Sequence, residues 1–320
     1  MKSLLVIGGS GFFGKSILDA YQRGLLEPWR IHSICILARN ASRLKKSHPR
    51  LLGGSVKLLD CDIGSCHDLP EADYVIHAAS STDAASYVLN PEIEKQNIQS
   101  GTYNYAKLAK KFHIDSKIVY CSSGAIYGQQ SSEVPFLHEQ LSHFSIESIA
   151  SNKRDYAVAK QDAEIAIQQI GIEGMSVSIA RCFAFVGPYL PRNQHFAIGN
   201  FIEDGLQGRP IQSKADHLVY RSYMHSDDLV VWLMTIATNA SNECPVLNVG
   251  SDQSIEIHDL ASKIANYFGV PVLNAPISCL ERVDRYIPSI RRAESELGLK
   301  LSIDLDQSID LTVKAILNNS

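Results

Sequence analysis

The chain contains no Cys-x-x-Cys pair, no block of like charge, no apolar run of membrane length and no internal repeat. Each absence removes a class of protein. Its seven cysteines stand apart at Cys35, Cys61, Cys66, Cys121, Cys182, Cys244 and Cys279. An odd number without ligand-like spacing reads as reduced thiols and argues against a disulfide framework or a zinc site. The 30 basic and 34 acidic residues leave a net charge of −4, so neither nucleic acid nor a membrane surface is expected as a partner. The opening MKSLLVIGGSG offers only four consecutive apolar residues, too few for a signal-peptide core. The most apolar later stretch, 229–237, falls far short of the ~20 residues of a membrane span. A soluble, cytoplasmic protein is expected. At 320 residues, 45% hydrophobic and 20% charged, the chain is too apolar to be disordered and too long to be a disulfide-stapled miniprotein.

What is present is a series of short apolar runs, at 4–7, 34–37, 56–59, 74–79, 117–121, 176–180 and 246–249, with helix-length segments between them. Continuous rather than alternating hydrophobicity marks strands buried on both faces, and the spacing leaves room for crossover helices. The fold class expected is α/β, a doubly wound parallel sheet of Rossmann type with a smaller C-terminal α/β cap that binds substrate. The dinucleotide-binding part is placed at 1–180 with a return at about 220–250, and the cap at 181–219 and 251–320. From about 252 onward the chain reads as helices and short loops.

Gly8-Gly9-Ser10-Gly11-Phe12-Phe13-Gly14 follows the first apolar run and opens a helical pattern. A dinucleotide pyrophosphate needs close backbone approach and the free N–H groups of a helix start, and glycines at 8, 11 and 14 suit both. A ligand-free glycine turn is the competing reading, and the strand-turn-helix context weighs against it. At the end of the second run stands Leu37-Ala38-Arg39-Asn40, followed by Arg43, Lys45 and Lys46, with no carboxylate. A carboxylate there would accept from the ribose of NAD, and a cation suits the 2′-phosphate of NADP, so NADP(H) is favoured over NAD(H). A solvated basic helix face is the alternative. Asp62-Ile63 is placed to meet the adenine, or else Asp62 caps the next helix.

Tyr156 and Lys160 are four residues apart, on one helical face. A neighbouring ammonium favours the phenolate form of a tyrosine, which lets the phenol exchange a proton with a substrate alcohol or carbonyl. Ser122-Ser123-Gly124-Ala125-Ile126-Tyr127-Gly128 follows the fifth run, where a hydroxyl can bond a reacting oxygen. By themselves the pair reads as a surface pair and the serines as a turn.

Together these motifs resemble an extended short-chain dehydrogenase/reductase of the NAD-dependent epimerase/dehydratase kind, over nearly the whole chain. The resemblance also takes in His77-Ala78-Ala79-Ser80, NIQSGTYN at 97–104, RCFAFVGP at 181–188, Arg221-Ser222-Tyr223 leading to Asp227-Asp228, and Asn248-Val249-Gly250. It implies Ser123 as the catalytic hydroxyl, Tyr156 as general acid/base, and Lys160 as the residue that tunes Tyr156 and holds the nicotinamide ribose. It implies a coenzyme along Gly8, Gly11, Phe12, Phe13, Gly14, Arg39, Asp62, Ile63, Ala78, Ala79, Ser80 and Asn97, reaching Tyr156 and Lys160. As side chains, Phe12, Phe13 and Phe183 read as packing residues. Substrate falls to Ser81, Ser123 and Arg221, the arginine matching one that often holds a sugar-nucleotide diphosphate. Read blandly, Arg221 pairs with Asp227 or Asp228. No metal is implied, and the histidines are scattered without ligand spacing. A homodimer formed by a four-helix bundle, using 92–112 and 156–170, is implied as well.

Three departures bear on the reaction. Ala184 stands where many members that act on sugar nucleotides have Asn. Gly124-Ala125 stands where 4,6-dehydratases have an Asp-Glu pair, which argues against dehydration. Ala38 or Arg39 replaces the acidic residue common in epimerases that use NAD. The leading expectation is NAD(P)-dependent oxidoreduction at a ring carbon of a nucleotide-activated sugar, specifically 4-ketosugar reduction. Alternatives are a 4-epimerase with retained NAD, an NADPH-dependent reductase of an unactivated ketone, and a non-catalytic dinucleotide-binding regulator. The stretch 129–155 reads equally as a lid or a surface loop.

Overall fold

The seven apolar runs become seven parallel strands of one sheet: Lys2–Ile7 (β1), Ile31–Ala38 (β2), Ser55–Asp60 (β3), Tyr74–His77 (β4), Lys117–Ser123 (β5), Val177–Cys182 (β6) and Val246–Val249 (β11). They lie in the order β3-β2-β1-β4-β5-β6-β11 in this computed structural model, which describes residues 1–80, 90–141, 149 and 151–319. Alternate residues of the inner strands face opposite cores, while the edge strand β3 packs only Val56 and Leu58 against the first. Leu4, Val6, Ile34 and Ile36 join one apolar cluster, while Leu5, Ile7, Val75 and Ile118 join the other. A period of two with both faces buried accounts for continuous hydrophobicity in the sequence.

The first cluster is covered by Phe12–Gln22 (α1), the short Leu44–Ser47 (α2), Ala197–Leu206 (α5), Ser226–Thr238 (α6), Ile257–Phe268 (α7), Arg291–Leu297 (α8) and Leu305–Asn319 (α9). Trp232, fully buried on α6, anchors this side and donates to the Lys300 carbonyl at 3.2 Å. The second cluster is covered by Pro91–Phe112 (α3) and Ser151–Ile172 (α4), through Ile98, Tyr105, Leu108, Ala159, Ala163 and Ile167. No described helix is long and apolar enough to cross a membrane.

Beyond residue 180 the chain builds smaller pieces. Phe185–Val186 (β7) pairs with Met224–His225 (β10). Ile211–Ser213 (β8) pairs with Val272–Asn274 (β13). His217–Ser222 (β9) runs between Ser254–Glu256 (β12) and Cys279–Tyr286 (β14). The region after 252 is therefore not helices and loops alone. CLERVDRY in β14 carries four charges and is exposed over its first four residues, so it lacks the apolar run by which the main-sheet strands are recognised. Strand order reverses between β1 and β4, and a crevice at the carboxyl edge of such a sheet is where α/β folds bind ligands.

Candidate active site

Gly8 leaves β1 with φ +82° and donates its N–H to Leu37 at 2.8 Å. A Cβ there would come within 2.5 Å of Ala79, so the turn is wedged against the end of β4. Gly14 is equally constrained, because a Cβ would overlap the Gly9 backbone. Gly11 differs. Its φ is −84°, it is exposed, and the nearest atom to a Cβ would be the Gly8 carbonyl oxygen at 3.6 Å. Nothing in the protein itself requires a glycine at 11. An open cradle beside the orphan N–H groups of α1, with no acidic residue in the first turn, fits a phosphate approaching from outside. Phe12 and Phe13 pack with Phe185, at ring-centroid distances of 6.3 and 5.3 Å, as packing side chains should.

The basic second-strand end is present and exposed at Arg39, Arg43, Lys45 and Lys46. The fold adds what local sequence concealed: Asp60, at the end of β3, lies opposite Ala38 and accepts from the Ser42 N–H at 2.7 Å. Ser42 holds that carboxyl below its usual range, with Lys45 contributing. Asp62 is exposed and accepts from the Gly64 N–H at 2.9 Å, so it caps a turn rather than a helix, and Ile63 beside it is buried. Ala78, Ala79 and Ser80 continue from β4 and are half-buried, whereas Asn97 lies exposed on α3. Ser81 falls outside the described residues.

Ser123 closes β5, is 8% exposed, and accepts from the Ala125 N–H at 3.1 Å. Lys160 on α4 is 2% exposed, and its ammonium donates to the Cys121 carbonyl at 2.9 Å and the Tyr120 hydroxyl at 3.4 Å. It also lies 5.9 Å from the centre of the half-buried Tyr156 ring, one helical turn back. The pair is thus not a surface pair. His77, at the end of β4, packs 5.2 Å from the Tyr120 ring, and burial with the Lys160 charge beside it lowers its imidazole to about 3.

Sequence reasoning passed over two residues here. Tyr286, at the end of β14, interacts through its hydroxyl with Ser123 and lies close enough to Tyr156 for the two phenols to interact. Burial pushes its phenol well above the ordinary value. A Cβ on Gly124 would stand 2.7 Å from the Tyr286 hydroxyl and from Phe183, so the position that follows Ser123 has no room for an acidic side chain. No signal in CLERVDRY announces Tyr286. Lys15, directly after Gly14, is half-buried at the head of α1, and burial lowers its ammonium below its usual value. Its position beside the glycine motif is a signal that was available.

Arg221 does not pair with Asp227 or Asp228. Its guanidinium reaches Asp284 on β14 at 2.8 Å, while Asp227 holds Arg23 and Asp228 accepts from the backbone of Ser302 and Ile303. Arg181 is buried in a fork with Glu164 at 2.8 Å and donates to the Tyr127 hydroxyl at 2.9 Å, which in turn donates to Asn248. The motifs at 181–188 and 248–250 are therefore the bolts between sheet, α4 and C-terminal part. A cleft of 430 Å³ lined by 129–132 and 281–283 opens between the segments that lead from Ser123 and toward Tyr286. Residues 142–148 and 150, within the stretch read as lid or loop, lie outside the described residues. Among the described residues no cluster of three or more metal-ligating side chains occurs.

The model of the NAD-dependent epimerase/dehydratase family matches residues 4–250. UDP-glucuronic acid decarboxylase 1 of Xenopus tropicalis is 25% identical over 98% of this chain and 71% of that protein. GDP-6-deoxy-D-mannose reductase of Pseudomonas aeruginosa is 28% identical over 96% of this chain and 94% of that one. Among solved structures, UDP-glucose 4-epimerase of Thermotoga maritima with UDP-glucose superposes with a TM-score of 0.81 over 99% of both chains, at 20% identity.

Proposed function

Because the chain belongs to the NAD-dependent epimerase/dehydratase family, we propose that it reduces a 4-keto carbon of a nucleotide-activated sugar with NADPH. The observation that carries this reading is a buried Lys160 ammonium next to Tyr156, under the strand that ends in Ser123. Arg39 and Arg43 would hold a 2′-phosphate, Gly11 and the α1 N–H groups the pyrophosphate, and Lys160 the nicotinamide ribose. The coenzyme, when bound, supplies or accepts hydride.

The protein's own residues do the rest. Ser123 donates to the carbonyl oxygen and stabilises the charge that grows there. Tyr156 delivers the proton that completes the alcohol, and the Lys160 ammonium favours the phenolate left behind. Arg221 is shared between Asp284 and the substrate diphosphate, as a planar fork of donors permits. Phe183 and Tyr286 fill the place where a dehydratase needs its acid, which supports reduction without loss of water. In this reading residues 1–180 with 220–250 bind the coenzyme, and 181–219 with 251–320 close over the sugar. Two such chains pair through α3 and α4.

One observation favours a second reading. Asp60 brings a carboxylate to the ribose end, as an enzyme that keeps NAD requires, and that enzyme would be a 4-epimerase. Incubation with a nucleoside-diphospho-4-ketohexose and NADPH separates them. Reduction predicts one coenzyme oxidised per sugar reduced. Interconversion of nucleotide hexoses without net oxidation would replace it with epimerisation. Turnover of a plain ketone by protein that ignores nucleoside diphosphates would remove both.

A further inference from the structure

We propose that Cys61 and Cys66 form a reversible disulfide on the turn that follows β3. Their sulfurs lie 2.8 Å apart. A disulfide bond measures about 2.05 Å, so closure needs the sulfurs to approach by only about 0.75 Å. The turn that carries the two cysteines is itself held in place, and the Cys66 thiol donates to the Asp68 carbonyl at 3.0 Å. Asp62 pins the turn by accepting from the Gly64 N–H, and Asn104 on α3 clamps it by donating to the Ile63 and Cys66 carbonyls at 2.7 and 2.9 Å. Cys121 and Cys182 also interact, but both are buried in the sheet where no oxidant reaches. Cys61 is partly exposed and gives a reagent access.

The chemistry is thiol–disulfide exchange with a small disulfide such as oxidised glutathione. The Cys61 thiolate attacks one sulfur, the glutathione bond breaks, and one glutathione thiolate leaves and takes a proton. The Cys66 thiolate then attacks the Cys61 sulfur of the mixed disulfide and releases the second glutathione. Two electrons pass from the protein pair to the reagent, and two protons from the cysteines reach the glutathione thiols. The environment sets a slow rate at neutral pH. Burial raises the Cys61 thiol to about 12, with Cys66 and the carboxylates of Asp62 and Asp68 adding to the shift. Thiolate is therefore scarce, and closure accelerates as pH rises. The bond encloses Asp62 and Ile63. Its consequence, a thiol redox signal reaching the adenine end of the coenzyme site, rests on the coenzyme reading above.

The test treats the reduced full-length protein with oxidised glutathione from pH 7 to 9, then alkylates and maps peptides by mass spectrometry. Cys61 and Cys66 should lose alkylation together, with loss of two hydrogens, ~10-fold faster per pH unit, and dithiothreitol should restore both. The exposed Cys279 serves as the internal control, taking up glutathione as a mixed disulfide. Full alkylation of Cys61 and Cys66 while Cys279 carries glutathione would overturn the proposal, as would glutathione persisting on Cys61. Saturating NADPH should slow closure several-fold without protecting Cys279. Closure at an unchanged rate would leave the disulfide standing and sever it from the coenzyme.

Discussion

Lys160 is the residue that gives the site its character. Taking an ammonium out of water costs several kcal/mol, and here the Cys121 carbonyl, the Tyr120 hydroxyl and the Tyr120 ring face offset that cost. The same charge acts on His77, whose imidazole is lowered to about 3 by burial first and Lys160 second. The direction of the pH effect follows. Unfolded histidine takes a proton near pH 6.5, whereas folded His77 stays neutral down to about 3. The unfolded state therefore binds more protons between those values, and stability falls as pH drops through that window. Burial lowers His113 and His225 in the same direction. Urea unfolding midpoints measured from pH 7.5 to 4 should decline steadily below pH ~6.5. The His77→Gln variant should show a shallower decline, and an identical slope would remove His77 from the account.

At the scale of elements, the glycine turn and α1 separate structural need from ligand need. Gly14→Ala should lower the melting temperature, because its Cβ overlaps the Gly9 backbone. Gly11→Ala should leave the melting temperature of the ligand-free protein nearly unchanged, since the site is open, yet weaken dinucleotide binding at least ~10-fold. Thermal unfolding and calorimetric titration read the two effects apart. Equal destabilisation by both substitutions would mean that the cradle is merely a turn. The same scale shows why part of the molecule was legible. A strand buried on both faces must be written as an apolar run, and the inner strands of the main sheet were, while the edge strand β3 keeps only the short run 56–59 around Lys57. β14 is exposed along its first half and only partly buried in its second, so its sequence carries no such obligation. The placement of Ser123 at a strand end and of Tyr156 and Lys160 one turn apart on a helix was legible, because an apolar run precedes the serine and a spacing of four joins the pair. Asp60 and Tyr286 were not, because they enter from the next strand and from a strand distant in sequence. The Asp284 partner of Arg221 was hidden for the same reason, 63 residues away.

For the whole molecule, α3 and α4 raise the question of assembly. Together they expose Ile93, Tyr103, Ile165 and Ile172, the last two at 63% and 77%, while their inner faces fill the second core. Exposed apolar side chains on a helix pair suit a second copy of that pair, giving the four-helix bundle proposed. Light scattering should report a dimer for the native chain. It should report a monomer for Tyr103→Asp combined with Ile165→Asp, with the far-ultraviolet spectrum unchanged. A native monomer would leave those residues as ordinary surface.

At that scale the sheet, α4 and the C-terminal strand β14 bring Ser123, Tyr156, Lys160 and Tyr286 together, and deuteride transfer tests the proposed reaction most directly. NADPH deuterated at C4 of the nicotinamide, given with a nucleoside-diphospho-4-ketohexose, should place deuterium on the sugar ring carbon. The Tyr156→Phe variant should do so ~10²–10⁴-fold more slowly while still binding the coenzyme. Equal rates in the two proteins would contradict the account, as would coenzyme binding without transfer to any nucleotide sugar.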